Sequence, residues 1–546
     1  MRRTAFAGAA SLAASVAVLM APVAVAGAHV LRVGTYKGVA GQYKSIQAAV
    51  DAAKPGDWVL VAPGDYKTSS TRLVPGRTNE AAGVLLTKSD VYLRGMNRNT
   101  VVVDGTKPGT SKCSSKKSDQ NFGPKSANGP IGTNGVVVWK ASDVWVQNLT
   151  ACNFLGGSGT AGNGIWWNGG DGSGKVFGGH GYLGSYLNAT STYFDPSNPG
   201  TAATYGIFSS NWNGGTWDHT YASNFNDSGY YIGACQQICN QVVDHAWGEY
   251  SALGYSGSNS GGSLIIKNSQ FDRNEDGFDT NSQNGDNPPP QNGACPHNGT
   301  SPITHTHSCW VFMNNYVHDN NNPNVPALGP AAQGPVGTGM SVSGGRNDTI
   351  ISNRFVNNNA WGIIFVPFLD SGKPCTGGTY GGTFGADSCL FDGFGNALLN
   401  NTFTHNGSYG HPSNGDLGWV SLENGHPTNC YRANKQSGGG AITPAGAAAL
   451  QTASPFCTGK AANAGASDPQ FLGEVLCDSQ VQIVSGTPSA CPNGQYPLRT
   501  TVVMHALPRG LKSMPNPCSG VPTNPWCPAS KPVRPVTPVA PPPGLG

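Results

Sequence analysis

Charge is what this 546-residue chain has least of: 11% of its residues are Asp, Glu, Lys or Arg. Setting Arg2 and Arg3 aside with the apolar N-terminal segment leaves 30 basic against 29 acidic residues, a net of +1 from the 32 and 29 of the whole chain. Such a balance recruits no polyanion, so nucleic acid is not an expected partner. After Val25 no apolar run approaches the roughly 18 residues that span a bilayer, so no membrane span is expected in the mature chain. CxxC spacing is also missing. Cys235 and Cys239 are the nearest pair and have no second pair in register, which sets zinc modules aside.

What is present points outward from the cell. Arg2 and Arg3, the apolar stretch from Ala5 to Val25 and the small residues up to Ala28 read as a secretory signal over 1–28. The 14 cysteines, an even number, then read as disulfides of a secreted, extracellular or cell-surface protein.

The body of the chain repeats. A unit of glycine, apolar, any residue, apolar recurs as Gly83-VLL, Gly135-VVV, Gly164-IWW, Gly206-IFS, Gly229-YYI, Ala252-LGY, Gly277-FDT, Gly339-MSV, Gly362-IIF and Gly418-WVS. Where no long insertion intervenes the step is 23 or 25 residues: 206 to 229, 229 to 252, 252 to 277, 339 to 362. A second apolar run follows each unit, then a third built on asparagine, as in Asn353-RFVNN and Asn401-TFTHN. Three short strands per coil of about 23 residues predict an all-β, right-handed parallel β-helix of at least ten rungs. Asparagine suits its corners because it tolerates left-handed backbone.

Ahead of the repeats, Ile46, Ala49, Val50 and Ala53 fall on one helical face, with Ser45 placed to cap and Lys54-Pro-Gly-Asp57 to end it. A short N-terminal capping helix would cover the open end of the first coil. With the following VLVAPGDY, this phrase resembles the cap of right-handed parallel β-helix proteins of the pectin-lyase-like superfamily, over roughly Val30 to Cys430. That resemblance implies the fold. The activity stays open, because the superfamily includes lyases, hydrolases, epimerases, esterases and non-catalytic adhesins. The expected organisation is a β-helix domain over 29–430, a Cys-rich C-terminal cap over 431–527 and a Pro-rich tail over 528–546. The tail would serve as a spacer to a cell wall, and a monomer is expected.

Chemistry is expected on the sheet of first strands. Alternation turns the residues one and three after each glycine inward and the residue two after it outward. The outward column is then Trp166, Phe208, Tyr231, Gly254, Asp279, Ser341, Ile364 and Val420, and the inward one includes Ile165, Ile207, Tyr230, Leu253 and Phe278. Trp166, Phe208 and Tyr231 would bind a sugar chain by stacking. Asp276 and Asp279 are the candidate catalytic carboxylates of a polysaccharide lyase or glycoside hydrolase; a non-catalytic structural or adhesive β-helix is the alternative. Insertions at 105–132, 188–203, 281–309, 320–336 and 366–395 would wall the groove. Three disulfides within loops would stiffen it, pairing Cys235 with Cys239, Cys295 with Cys309 and Cys375 with Cys389.

Asp272, Asn274 and Asp276 match the opening of an oxygen-rich calcium loop, although Gln283 stands where a bidentate Glu is needed. Gly277 and Asn274 are also repeat residues, which explains most of the match without calcium. NEDGFD resembles the NTDG element of polygalacturonases but lacks its companion motifs. Trp217-Asp218-His219 and Val243-Asp244-His245 resemble the W-x-D-H element of pectate lyases. A lyase base would come from Arg273, Arg346 or Lys267, while Asp218 and Asp244 also fit as corner residues. His305 and His307 are a weak metal pair.

Overall fold

The computed structural model describes residues 27–172, 176–258, 260–281, 310–371, 375, 378–381, 385–422, 429–453, 469–480 and 491–528. Its body is a right-handed parallel β-helix. The groove sheet has 11 strands, of which the first, Arg72–Leu73, is an antiparallel edge. The others are parallel neighbours from Ala81–Leu86 through Tyr205–Ser210, Ser228–Gly233 and Asp276–Asn281 to Gly415–Trp419. A larger sheet of 21 strands forms the remaining faces.

The repeat glycines have a steric reason. A Cβ built on Gly135, Gly164, Gly206, Gly229, Gly254, Gly277, Gly339 or Gly362 would lie no more than 3.0 Å from the carbonyl oxygen of its counterpart on the next rung. It would also meet interior groups such as Phe225 beside Gly206 and Val317 beside Gly277. At each kink the glycine and the residue after it both face the interior. The residue before the glycine is thereby turned outward, together with the residue two after it. This explains why Asp276 and Asp279 both leave the core.

The interior column is Val136, Ile165, Ile207, Tyr230, Tyr255, Phe278, Met340, Ile363 and Leu417, all essentially fully buried. Two expected registers are corrected. Leu253 pairs with Ser228, so the interior residue of that rung is Tyr255, stacked on Phe278 with ring centroids 4.4 Å apart. The repeat position is therefore Gly254, two residues after Ala252. In the last rung Leu417 pairs with Ile363, so the repeat glycine is replaced by Asp416 and the outward residue is Gly418 where Val420 was expected. Both slips are by two residues, the shift that side-chain alternation cannot reveal.

Asparagine serves the corners in pairs. Asn314, Asn357 and Asn400 take positive φ values of 55, 54 and 53°. The next residue then turns inward into hydrogen-bonded ladders. Asn358 Nδ2 donates to Asn406 Oδ1 (3.2 Å), and Asn406 Nδ2 to Asp416 Oδ1 (3.0 Å). Asn353, Asn401 and Asn434 form a second ladder, ended by Gln451 Oε1.

Helix α1, Ile46–Ala52, closes the N-terminal end with Ser45 Oγ accepting from Ala48 N (3.2 Å). Helix α2, Ala445–Ala453, carries Gln451 and covers the opposite end with Ala447 in the core. The rest of the Cys-rich region does not stay at that end, as a simple cap would. Helix α3, Pro469–Asp478, lies on the groove sheet, packing Phe471 and Val475 on Trp361, Ile364 and Val420. Residues 491–528 then run back along the rod. Thr500 meets Asn324, His505 meets Asn224 and stacks on Tyr250 (3.7 Å), and Ser513 meets Asn148. Farther on, Arg94 donates to the carbonyls of Pro517 and Ser519, and Trp526 to Val39 O (2.9 Å).

Cys235–Cys239 and Cys375–Cys389 are bridged, with Cα separations of 5.0 and 5.5 Å. Cys295 and Cys309 lie outside the described residues, as do His305 and His307. The bridges Cys113–Cys152, Cys477–Cys491 and Cys518–Cys527 were not anticipated as pairs.

Candidate functional site

Read by register, the outward column of the groove sheet is Trp166, Phe208, Tyr231, Ser256, Asp279, Ser341, Ile364 and Gly418. Its first three members form one wall of an open cleft of about 270 Å³. Trp166 and Phe208 stack with ring centroids 4.9 Å apart and planes at 10°. Tyr231 meets Phe208 edge-on at 5.0 Å, and Tyr205, which precedes the repeat glycine, stacks on Tyr231 at 4.9 Å. The rings are spaced by the rungs themselves and make a continuous apolar strip.

Polar groups flank the strip. Arg77 and Glu80 come from the segment that leads into the first groove strand, and Asn168, Gly170, Asp171 and Ser210 from the other side. Arg77 Nη2 spans the walls to donate to Gly170 O (2.7 Å), and Asn168 Nδ2 donates to Glu80 Oε1 (2.9 Å). Burial raises the Glu80 carboxyl above its usual range, although Arg77 and Asn168 pull it down. Trp166 Nε1 is held by Ser210 Oγ (3.1 Å). Tyr205 donates to Asp227 Oδ2 (3.2 Å), and burial pushes the Asp227 carboxyl up to about 7.

Sequence reasoning found Trp166, Phe208 and Tyr231 and missed Arg77, Glu80, Tyr205, Asn168 and Asp171. Tyr205 could have been found from the residue before the repeat glycine. Arg77 and Glu80 precede the first repeat and carry no periodic signal.

Asp276 and Asp279 share the groove face, but they lie under cover. Asp276 accepts from Ser341 Oγ, and Asp279 from Ser343 Oγ (2.8 Å). The 320–336 loop packs Gly334 against Leu253 and Asp276, and Asp478 of α3 accepts from Val336 N (3.1 Å) to hold that loop down. Burial, with the nearby Asp279, pushes the Asp276 carboxyl far above the ordinary range. The calcium-loop residues are not brought together. Asp272 sits on the large sheet with Trp247, Gln270 and Arg273, while Asn274 spends its amide on Gly248 O and Asn320.

The bases proposed for a lyase also lie elsewhere. Arg273 pairs with Asp272 and Glu249, Lys267 pairs with Asp244, and Arg346 is buried against Phe394 with its Nε on Asp392 O. Asp218 and Asp244 occupy corners of the large sheet, each beside a left-handed histidine.

No family model and no curated protein matches the chain. Among solved structures, it is similar to the A-module of Azotobacter vinelandii mannuronan C-5 epimerase AlgE6, with 12% identity and a TM-score of 0.42 over 72% of this chain and 94% of that one. It is also similar to an alginate lyase from Paenibacillus sp. str. FPU-7, with 10% identity and a TM-score of 0.34 over 76% and 96% of the two chains. Pectin methylesterase PemA from Erwinia chrysanthemi matches at 14% identity and a TM-score of 0.28 over 68% and 89%. These likenesses concern the parallel β-helix, which the strand registers above establish independently.

Proposed function

We propose that this is a secreted β-helix protein that binds a polysaccharide in the cleft over the first rungs of the groove sheet. The observation that carries the reading is the strip of Trp166, Phe208, Tyr231 and Tyr205 lining an open cleft, with Phe208 buried and the other rings half-buried, edged by Arg77, Glu80 and Asp171. Sugar rings present apolar C–H faces and hydroxyl rims. An aromatic strip with hydrogen-bonding walls matches both. The near-neutral chain and the mixed charge of the walls favour a neutral or weakly charged glycan. The test is a glycan-array screen, followed by titration of the best binder. Trp166→Ala and Tyr231→Ala should each weaken binding by about 1 kcal/mol or more. Unchanged affinity in both would remove the cleft as the site.

A second reading, cleavage of the bound chain, is favoured by Glu80. It is a carboxyl at the cleft wall that burial shifts upward, the direction a general acid requires. Glu80→Gln should then abolish turnover by about 100-fold or more with binding retained. Asp276 and Asp279 would take part only if the 320–336 loop moved aside. Asp279→Asn separates the cases, since a rate loss with unchanged affinity would return catalysis to that pair.

A further inference from the structure

On the large sheet, away from the aromatic cleft, consecutive rungs place Asp218 opposite Asp244 and carry the histidine that follows each into the same corner column. His219 and His245 have φ values of 53 and 51°, and their rings stack at 4.6 Å with planes at 11°. Tyr186 stacks on the other face of His219 at 4.9 Å. Asp218 Oδ1 lies 2.7 Å from His219 Nδ1 and 3.9 Å from His245 Nδ1. One ligand atom each from Asp218, His219 and His245 thus falls within 4.8 Å of the others. The only other such group among the described residues includes Cys113 and Cys152, which are spent in a disulfide.

The structure assigns to Asp218, His219 and His245 a surface site for a divalent transition metal of the zinc class. Two imidazoles and one carboxylate form a borderline donor set suited to such ions and poorly suited to calcium or magnesium. Tetrahedral coordination at 2.0–2.1 Å requires donor atoms about 3.3 Å apart, so the 2.7 Å Asp218–His219 contact must open by about 0.6 Å and the wider separations close by no more than about 1.5 Å. Both rings are partly exposed, with side-chain exposures of 38 and 49%, and can rotate about their own bonds. On binding, each metallated nitrogen gives up its hydrogen, and the ring proton is carried on the other nitrogen.

Asp244 is not counted among the ligands, and its contact with His245 Nδ1 would be released when that nitrogen is metallated. Its oxygens face Lys267 Nζ (3.3 Å), Asn268 Nδ2 (2.9 Å) and His245 Nδ1 (2.8 Å). A three-ligand set leaves the fourth coordination position to water, on the solvent side of the corner.

The test uses the full secreted chain freed of metal, titrated calorimetrically with Zn²⁺ and followed in parallel by the visible absorption of Co²⁺. His219→Asn and His245→Asn are the variants of choice, because Asn148 and Asn268 hold the left-handed backbone at the same corner on other rungs. His180→Asn, a histidine beside Asp143 outside the group, serves as the control. The expected result is one equivalent of Zn²⁺, a tetrahedral Co²⁺ spectrum, and affinity lowered at least about tenfold in each of the two corner variants but not in the control. No binding by the wild type, or binding that survives His219→Asn with His245→Asn, overturns the assignment.

Discussion

The two halves of the groove sheet share one spine and differ in what lies over it. In the first half the outward column is aromatic and lines an open cleft; in the second it is Ser256, Asp279, Ser341 and Ile364, all buried. The strands pair in one continuous parallel register in both halves. What lies over them differs, with the 320–336 loop and α3 sealing the second half. Facing outward in a solenoid is a property of the repeat, whereas exposure is decided by the loops.

The largest effects should be common to both halves. Gly206→Ala and Gly277→Ala, one from each, add a Cβ against backbone on the next rung and should each cost about 3 kcal/mol or more in denaturant unfolding. A large loss for one and none for the other would mean that the halves do not share a spine. Ile364→Ala comes next. It empties a buried contact with Phe471 and should cost about 2–3 kcal/mol of stability while leaving glycan affinity unchanged, the reverse of Trp166→Ala.

The smallest effect is a pH dependence. The Asp227 carboxyl, raised in the folded state to about 7 from an ordinary value of 3.8, favours folding most below pH 4 and loses that contribution as pH rises through 7. Asp227→Asn should therefore flatten the decline and leave the variant more stable than wild type at pH 8 by about 1 kcal/mol or more, read from thermal midpoints at pH 5 and 8. A steeper decline in the variant would contradict this assignment. Asp276 is shifted in the same direction, so the sealed half should titrate with the same sign.

Much of the fold was legible because a steric requirement repeats at fixed spacing. Gly206, Gly229 and Gly277 mark the rungs because nothing larger fits, and the αL corners favour Asn314, Asn357 and Asn400. The register failed at Ala252 and Gly418, where a small residue two places away imitated the repeat. Trp166, Phe208 and Tyr231 were legible because the outward column follows from alternation. Arg77 and Glu80 were not, since they belong to an aperiodic lead-in brought to the cleft by tertiary folding. Cover was illegible for the same reason. Nothing local to Asp276 records that Gly334 and α3 will lie near it. The corner histidines were visible as a motif, but their stacking depends on two rungs being adjacent in space.

The returning C-terminal segment changes how such a rod should come apart. A stack of coils held only by neighbours can fray from either end, one rung at a time. Here residues 500–526 touch the rod at Asn324, Asn224, Asn148, Arg94 and Val39 in turn, tying late rungs to the first. Loss of the outermost coil must also release Trp526 from Trp58 and Met96, and with it the lashing over every rung behind. Unfolding should become a shared event over the coils between Asn324 and Val39. The lashing draws on residues that follow every coil in sequence, so it can be completed only after the coils it crosses have been synthesised.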